Sequence, residues 1–127
     1  MRVKDRMSSP AITVGARNTL KQALELMKTN DIRRLPVVEG DKLVGMLVQH
    51  DIETALQKPG IIQQTPVEWV MTKNPLTVGP EDDLIFAAVL LRDYKISGLP
   101  VLEDNQLIGI ITDMDIIQAF IELYQED

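Results

Sequence analysis

The residues best suited to chemistry in this 127-residue chain are a hydroxyl and two carboxylates that follow an apolar run. Thr112, Asp113 and Asp115 come directly after the run 109–111, where a strand pattern gives way to a helical one. Thr112 and Asp115 have the spacing of a capping box, in which two side chains satisfy the first backbone N–H groups of a helix. The same residues can hold a ligand, because a helix start suits phosphate and a carboxylate can accept from ribose hydroxyls. The sequence leaves both roles open, and they do not exclude each other.

A weaker copy of this pattern lies 64 positions earlier. Asp51 matches Asp115, but Val48 stands where the later copy has Thr112. This earlier helix start therefore lacks both a capping hydroxyl and a phosphate donor. His50 lies beside Asp51 and could compensate, although a surface histidine without a role is the simpler interpretation. We expect the two copies to be unequal as binding sites.

Arg33 and Arg34 form a second notable pair, directly before a Leu-Pro-Val segment. The simple interpretation is two solvated arginines at the entrance of a strand. The functional interpretation is that their planar guanidinium groups pair with phosphate. Their counterparts in the later copy are Ser97 and Gly98, which carry no charge. A basic pair would therefore belong to one site only.

The elements that must position these residues occur twice. Residues 3–56 align with residues 67–120 without a gap, and 18 of the 54 pairs are identical. Each repeat shows a short β-prone stretch, an amphipathic helix, two strands joined by a turn, and a closing helix. Each repeat is too small to bury a good core alone. We therefore predict an α/β (α+β) fold of two β-α-β-β-α repeats, residues 1–62 and 63–127, packed as a pseudo-two-fold pair.

The predicted elements follow from residue patterns in each repeat. The β-prone stretches are 12–14 and 76–78, and the hairpin strands are 35–38 with 43–48 and 99–102 with 107–112. Asn18 and Asp82 are the predicted N-caps of the first helices. The closing helices are predicted at about 49–56 and 113–124. Trp69 lies in the approach to the second repeat and is predicted to be a packing residue.

Composition excludes several classes of function. Cysteine is absent and His50 is the single histidine, so no Ser-His-Asp or Cys-His set and no His- or Cys-based zinc site is expected. The net charge is −6, with ten basic and seven acidic residues in 1–64 and three and twelve in 65–127. An acidic chain without a basic stripe argues against nucleic acid as the partner. No run is long enough to span a membrane and no apolar leader is visible, so a cytoplasmic protein is expected. Because no catalytic set of residues is apparent, no enzymatic activity is expected.

The repeat order and its motifs resemble those of the cystathionine-β-synthase (CBS) domain, a regulatory module used in pairs. The resemblance covers essentially the whole chain. Its signals are the Leu-Pro-Val strand, the hairpin ending in Gly-apolar-apolar-Thr-x-x-Asp, and the tandem arrangement. The resemblance implies adenine nucleotide or adenosine derivative binding in clefts between the repeats, with the signal passed to an enzyme, channel or transporter.

The resemblance also implies that each cleft is built crosswise from both repeats. Carried over, the residues of the main cleft are Thr112, Asp113, Asp115, Ser8, Ile12, Ile32, Arg33 and Arg34. In this cleft the aspartate would hold the ribose, the threonine and arginines the phosphate, and the isoleucines the base. The second, weaker cleft would contain His50, Asp51, Thr72, Leu76, Ile96, Ser97 and Gly98. Only the main cleft has the residues for a nucleotide.

The leading functional hypothesis is a regulatory module that binds AMP, ADP or ATP and reports its level to a partner. No cofactor is required. A ligand-free dimerisation and scaffolding module is the first alternative, and a nucleic-acid-binding accessory protein is the third hypothesis. Arg33 and Arg34 together with Thr112 and Asp115 favour the first hypothesis, because scaffolding does not need them.

The helices of repeat 2 also predict a homodimer. Positions that are polar in repeat 1, such as Lys21 and Glu53, are apolar in repeat 2. The residues assigned to this surface are Ile85, Phe86, Val89, Ile117, Phe120 and Ile121. The same patch on every copy favours a two-fold dimer, as the resemblance also implies. The alternatives are that the segment around Leu123 and Tyr124, or a further domain, covers the patch.

Overall fold

The computed structural model describes residues 1–125. It contains four α-helices, which are α1 (Leu20–Asn30), α2 (Gln49–Ala55), α3 (Leu84–Tyr94) and α4 (Asp113–Gln125). Its strands are β1 (Val14–Gly15), β2 (Arg34–Glu39), β3 (Lys42–Val48), β4 (Thr72–Lys73), β5 (Gly98–Glu103) and β6 (Gln106–Thr112). Short 3-10 helices occur at Val3–Asp5 and Val67–Trp69. The predicted fold class is confirmed, and both hairpin turns are at the predicted positions.

The described chain forms two compact units, and their boundaries do not coincide with the boundaries of the two repeats in the sequence. One unit contains Met1–Ala11 together with the chain from Leu76 onward, and the other contains Ile12–Pro75. We call them the C-unit and the N-unit. The leading segment of each repeat is thus part of the unit built by the other repeat. Each unit has its own cluster of buried apolar residues, and the leading segment of the other repeat contributes to it.

The N-unit is built on a four-stranded sheet in the order β1-β2-β3-β4. β1 pairs with β2 in parallel, and the other neighbours are antiparallel. α1 and α2 bury apolar side chains against the sheet, among them Leu20, Met27 and Ile52. Val67, which comes from the leading segment of repeat 2, is fully buried in the same core. The strand predicted at 12–14 is wrong in extent, since pairing begins only at Val14.

The C-unit contains the β5-β6 hairpin with α3 and α4. The strand predicted at 76–78 is reduced to one parallel bridge between Val78 and Val101. Val3 is fully buried beside Val78 and thereby mirrors Val67 in the other unit. Arg6 forms an ion pair with Glu122 of α4, which lowers the pKa of that carboxyl group. The leading segment is therefore fixed to the unit by both apolar and charged contacts.

The N-cap predicted for α1 is wrong by one residue. Thr19 is the N-cap, and its hydroxyl accepts from the Gln22 N–H at 3.1 Å while the Gln22 side chain accepts from the Thr19 N–H at 2.9 Å. Asn18 instead accepts from the N–H of Gly15 at 2.7 Å and closes the turn before the helix. The side chain of Asn18 thus stabilises the turn that precedes α1 and does not cap the helix itself.

The same correction applies to α3, whose N-cap is Asp83 and not Asp82. Asp82 accepts from the N–H of Gly79 at 2.7 Å and closes a matching turn. Asp83 makes no side-chain capping hydrogen bond. The carboxylate of Asp83 is exposed at the start of the helix.

Gly109 and Gly45 are required by the exchanged segments. Ser8 and Ile110 exchange two backbone hydrogen bonds of 2.9 and 3.0 Å. As a result the Ser8 carbonyl oxygen lies 2.6 Å from the position a Cβ atom would take at Gly109. At Gly45 the corresponding distance to the Thr72 carbonyl oxygen is 2.9 Å. A side chain at either position would collide with backbone.

We expect Gly109→Ala to lower the free energy of unfolding by about 1–3 kcal/mol, because the Ser8 segment must move to accept a methyl group. Urea denaturation measures the effect. Gly79→Ala is the control, since the nearest atom to its Cβ position is 3.7 Å away and a compatible Gly→Ala change stabilises by about 0.4–1 kcal/mol. Equal losses in both variants would contradict the close-approach explanation.

Two further observations concern the surface. Trp69 is 69% exposed, so the prediction that it packs against the fold is wrong. The short 3-10 helix buries Val67 inward, and Trp69 lies on its outer side. No helix within residues 1–125 has the length and apolar character needed to cross a bilayer.

Candidate functional site

The start of α4 contains the hydroxyl and carboxylate identified from the sequence. The Asp115 carboxylate, through Oδ2, accepts from the Thr112 N–H at 2.8 Å and from the Thr112 hydroxyl at 3.0 Å. The Asp115 N–H donates to Thr112 Oγ1 at 3.4 Å. The predicted capping box is therefore present. Both bonds to the carboxylate end on Oδ2, so a ligand would meet the other oxygen, Oδ1.

Other predicted residues of the C-unit surround this helix start. Gly98 is the cross-strand partner of Thr112. The Asp113 N–H donates to the Ser97 carbonyl oxygen at 3.0 Å. Ser8 pairs with Ile110, two residues before Thr112, and its side chain is exposed. One edge of the C-unit thus gathers polar residues that the sequence assigned to both clefts.

The matching edge of the N-unit has a different chemical character. Arg34 is the cross-strand partner of Val48, and the Arg33 carbonyl oxygen accepts from the Gln49 N–H at 2.8 Å. α2 begins after Val48 without a side-chain capping hydrogen bond. The arginine pair therefore lies beside an uncapped helix start, whereas the capped start of α4 has Ser97 and Gly98 in the matching positions.

The remaining predicted residues fall into the two units as follows. His50, Asp51 and Thr72 are exposed in the N-unit, where Thr72 pairs with Met46 of β3. The apolar residues assigned to the base are Ile12 and Ile32 in the N-unit and Leu76 and Ile96 in the C-unit, all exposed or half-buried. Each unit therefore contains one half of each predicted cleft.

Within residues 1–125, no group of three or more His, Asp or Glu side chains is arranged to hold a metal ion. No buried side-chain nitrogen or oxygen in this range lacks a hydrogen-bond partner. Of the polar residues assigned to the main site, Ser8 and Arg33 are exposed, and Arg34, Thr112, Asp113 and Asp115 are half-buried.

A fold of two β-α-β-β-α repeats with exchanged leading segments and one capped Thr-x-x-Asp helix start defines the class of protein. The model of the CBS domain family matches this chain twice, at residues 3–58 and 67–122. The protein belongs to the CBS domain family and is a tandem CBS pair. The resemblance inferred from the sequence motifs is confirmed.

Relatives include both small proteins and larger enzymes. The CBS domain-containing protein YhcV from Bacillus subtilis is 36% identical over 109 residues, which cover 86% of this chain and 78% of that protein. L-aspartate semialdehyde sulfurtransferase from Methanocaldococcus jannaschii is 33% identical over 120 residues, which cover 93% of this chain and 23% of that enzyme. The region shared with this enzyme is thus less than a quarter of its length.

Solved structures give the same fold. The AcuB protein from Vibrio cholerae has 33% identity and a TM-score of 0.88, with 98% of this chain and 93% of that chain covered. The CBS pair of MJ0100, in complex with 5'-methylthioadenosine and S-adenosyl-L-methionine, has 31% identity and a TM-score of 0.89, with 97% and 98% covered. CBSX2 in complex with AMP has 28% identity and a TM-score of 0.81, with 97% and 98% covered.

Proposed function

We propose that this CBS pair is a ligand-binding regulatory module for an adenine nucleotide, AMP, ADP or ATP. Its main site joins Thr112, Asp113, Asp115 and Ser8 of the C-unit to Ile12, Ile32, Arg33 and Arg34 of the N-unit. The observation that carries the proposal is the inequality of the two helix starts. One of them has a capping hydroxyl and a carboxylate, and only the other repeat has an arginine pair.

The roles follow from the geometry of each half-site. Asp115 Oδ1 accepts from the ribose hydroxyls, while Oδ2 keeps its bond to the Thr112 N–H. The Thr112 hydroxyl turns from Asp115 to donate to phosphate, which costs the 3.0 Å bond between the two side chains. Arg33 and Arg34 supply guanidinium groups that pair with phosphate oxygens. The module passes its occupancy to a partner and performs no catalysis.

The related structures support an adenosine-type ligand, but their bound ligands differ in whether they carry a phosphate group. MJ0100 holds S-adenosyl-L-methionine and 5'-methylthioadenosine, whereas CBSX2 holds AMP. An arginine pair and a helix start with a hydroxyl donor favour a phosphorylated ligand over a sulfonium cation. S-adenosylmethionine is therefore the competing ligand, and ligand-free scaffolding is the competing function.

A ligand screen tests the proposal directly. We expect AMP, ADP or ATP to raise the melting temperature of the purified protein, and adenosine and S-adenosylmethionine to do so less. A ligand at about a hundred times its Kd adds roughly 2.7 kcal/mol to the free energy of unfolding. A larger shift with S-adenosylmethionine would reverse the choice of ligand. No shift with any adenosine compound would favour scaffolding.

Arg33→Ala with Arg34→Ala should weaken AMP binding by about tenfold or more and leave adenosine binding nearly unchanged. The reason is that a hydrogen bond to a charged group contributes about 1.5–3 kcal/mol, and adenosine has no phosphate to receive one. Isothermal titration calorimetry measures both ligands. Lys21→Ala with Lys28→Ala removes the same charge from exposed positions of α1 in the same unit and serves as the control. Parallel losses for AMP and adenosine would contradict a phosphate role.

We also propose that the protein is a homodimer through the helices of repeat 2. On α3 and α4 the residues Ile85, Phe86, Ile117, Phe120 and Ile121 are 72%, 48%, 48%, 62% and 41% exposed, respectively, and Val89 is half-buried. A groove of about 220 Å³ opens between the two helices and is lined partly by Ile85, Phe120 and Leu123. A contiguous apolar patch of this kind marks an interface.

The C-terminal part of α4 adds to this patch. The helix continues through Leu123 and Tyr124 to Gln125, and both of these side chains are exposed. The Phe120 and Tyr124 rings contact each other with centroids 5.0 Å apart. Within the described residues, the segment around Leu123 and Tyr124 therefore extends the apolar patch and does not cover it.

A further inference from the structure

We propose that Asp113 makes the nucleotide site selective for a monophosphate, so that AMP binds more tightly than ADP or ATP when no divalent cation is present. This inference rests on the proposed function and names the ligand within its class. It starts from the half-buried side chain of Asp113, the first residue of α4. The proposed ribose and phosphate contacts leave this carboxylate without a role.

The backbone N–H groups at the start of α4 are already bonded within the protein. The Asp113 N–H donates to the Ser97 carbonyl oxygen at 3.0 Å, and the Met114 N–H donates to Asp113 Oδ1 at 2.8 Å. The N–H groups of Thr112 and Asp115 are used by the capping box. Because a helix start binds anions through such N–H groups, the Asp113 carboxylate occupies a donor that a ligand phosphate could otherwise use.

The charges of the proposed site nearly cancel. Arg33 and Arg34 bring two positive charges, and the start of a helix adds about half a charge. Asp113 and Asp115 bring two negative charges. AMP carries a charge of about −1.5 to −2 at neutral pH, and ADP and ATP carry more because each added phosphate group is ionised. The site therefore has no surplus positive charge for a second or third phosphate.

The rest of the C-unit does not supply the missing positive charge. Residues 1–11 hold three basic residues and one acidic residue, and the chain from Leu76 onward holds two and eleven. Four of these five basic residues form ion pairs with carboxylates of the same unit, namely Arg2, Lys4, Arg6 and Arg92. The fifth, Lys95, is exposed at the end of α3. The unit that contains Asp113 is therefore strongly acidic and repels a triphosphate more than a monophosphate.

Repeat 1 shows the same backbone arrangement without the carboxylate. Gln49 is the equivalent of Asp113, and its N–H donates to the Arg33 carbonyl oxygen at 2.8 Å as the N–H of Asp113 donates to Ser97. This backbone contact therefore does not depend on a charged side chain. Removal of the charge at position 113 should leave the start of α4 in place, so its effect on binding can be measured in a folded protein.

Calorimetric titration of AMP and ATP in metal-free buffer with a chelator tests the selectivity. In the wild type we expect the Kd of ATP to exceed that of AMP by about tenfold or more. Asp113→Asn should reduce this ratio to about threefold or less, since asparagine keeps an oxygen for the Met114 N–H but has no charge. Asp113→Glu keeps the charge and should keep the preference for AMP.

Two controls separate a local effect from a change in net charge. Glu103→Gln removes one exposed charge from the same unit, about 17 Å along β5 from Gly98, the cross-strand partner of Thr112. That distance exceeds the Debye length of about 8 Å at physiological ionic strength, so the ratio should not change. Excess Mg²⁺ binds the phosphates of ATP and should narrow the gap in the wild type but have little effect in Asp113→Asn.

Failure of the selectivity differs from failure of the proposed function. If none of AMP, ADP and ATP bound, both would be overturned. If AMP and ATP bound equally well in metal-free buffer, or ATP bound more tightly, only the selectivity would be overturned. If Asp113→Asn changed the Kd of AMP and of ATP by the same factor, Asp113 would not discriminate between them, and the inference would be wrong. A preference for AMP that Asp113→Asn loses and Asp113→Glu keeps is the result that supports it.

Discussion

Asp115→Ala is expected to remove most of the stabilisation that AMP or ATP gives this protein, whereas Asp51→Ala leaves it nearly intact. Loss of a carboxylate that accepts from two ribose hydroxyls should weaken binding by about a hundredfold or more, since charged hydrogen bonds contribute about 1.5–3 kcal/mol each. Asp51 occupies the equivalent place in repeat 1, which lacks the hydroxyl and is opposed by the uncharged Ser97 and Gly98 in the proposed second cleft. The two aspartates therefore form a matched pair in one chain.

The capping role of Asp115 must be separated from its role in binding. Asp115→Ala also deletes the hydrogen bonds from the Thr112 N–H and hydroxyl, which should lower the free energy of unfolding by about 0.5–2 kcal/mol without any ligand. Calorimetric titration well below the melting temperature measures affinity without this contribution. Thr112→Val serves as a second variant, because it reproduces the valine that repeat 1 has at this position.

The expected order of affinity is wild type, then Thr112→Val, then Asp115→Ala, with Asp51→Ala close to wild type. Thr112→Val removes one phosphate donor and both hydrogen bonds between the Thr112 hydroxyl and Asp115, but keeps the ribose acceptor. Val48→Thr in repeat 1 tests the opposite change, since it completes a Thr-x-x-Asp sequence at the start of α2. Equal loss of affinity in Asp115→Ala and Asp51→Ala would contradict the proposed difference between the two sites.

The sequence predicted the fold because its strongest signals are local and duplicated. The hairpin turns at Gly40-Asp41 and Asp104-Asn105 follow from residues that adopt positive φ, and Gly40, Asp104 and Asn105 do so. The Thr112–Asp115 capping box likewise follows from spacing within one turn. Such features depend on neighbouring residues, so a pattern along the chain is sufficient to find them.

The exchange of leading segments could not be predicted in the same way. Val3 and Val67 appear in the alignment as equivalent apolar residues, but nothing local indicates which core each one enters. Gly45 and Gly109 were visible as a repeated pair, yet their reason is a backbone that approaches from a distant part of the chain. The N-caps moved by one residue because Asn18 and Asp82 bind the preceding turn. Contacts between residues far apart in the sequence therefore determine these features, and local sequence patterns do not reveal them.

The candidate site was predictable as residues but not as contacts. Thr112 and Asp115 were identified from their spacing, and the structure adds that the Thr112 hydroxyl and one carboxylate oxygen of Asp115, Oδ2, are bonded to each other in the cap. Arg33 and Arg34 were identified from charge, and the structure adds that they lie beside Val48 and Gln49 of their own unit. In the proposed site, a phosphate would therefore compete with a capping hydrogen bond at the start of α4, whereas the start of α2 has no side-chain cap.

The second large effect is expected from Phe86→Glu combined with Val89→Lys, which should convert a dimer into a folded monomer. Phe86 is 48% exposed and Val89 half-buried on α3, outside the core formed by Leu84, Ala87 and Leu91. Their replacement therefore leaves the interior of the C-unit intact. In a two-fold dimer each substitution is present twice, so four charged groups would be buried without the apolar contacts they replace.

The monomer should retain its fold and the proposed nucleotide site. Gln22 and Glu25 occupy the matching positions of α1, which shows that a CBS helix of this kind tolerates polar residues there. Sedimentation velocity gives the mass, and circular dichroism confirms folding. The control, Gln22→Glu with Glu25→Lys, places the same residues on repeat 1 and should leave the dimer unchanged.

The expected loss of dimerisation free energy distinguishes this interface from a chance contact. An interface with two copies of Phe86, Val89 and Phe120 at its centre should lose at least about 2–4 kcal/mol on this double substitution, since buried aromatic anchors dominate association energies. The dimer Kd would then rise by roughly thirtyfold to a thousandfold. A dimer with a Kd in the micromolar range would then sediment as a monomer at micromolar concentration. A wild-type chain that sediments as a monomer at micromolar concentration would refute the dimer. If the double variant remained a dimer, the interface would have to lie on a surface other than α3.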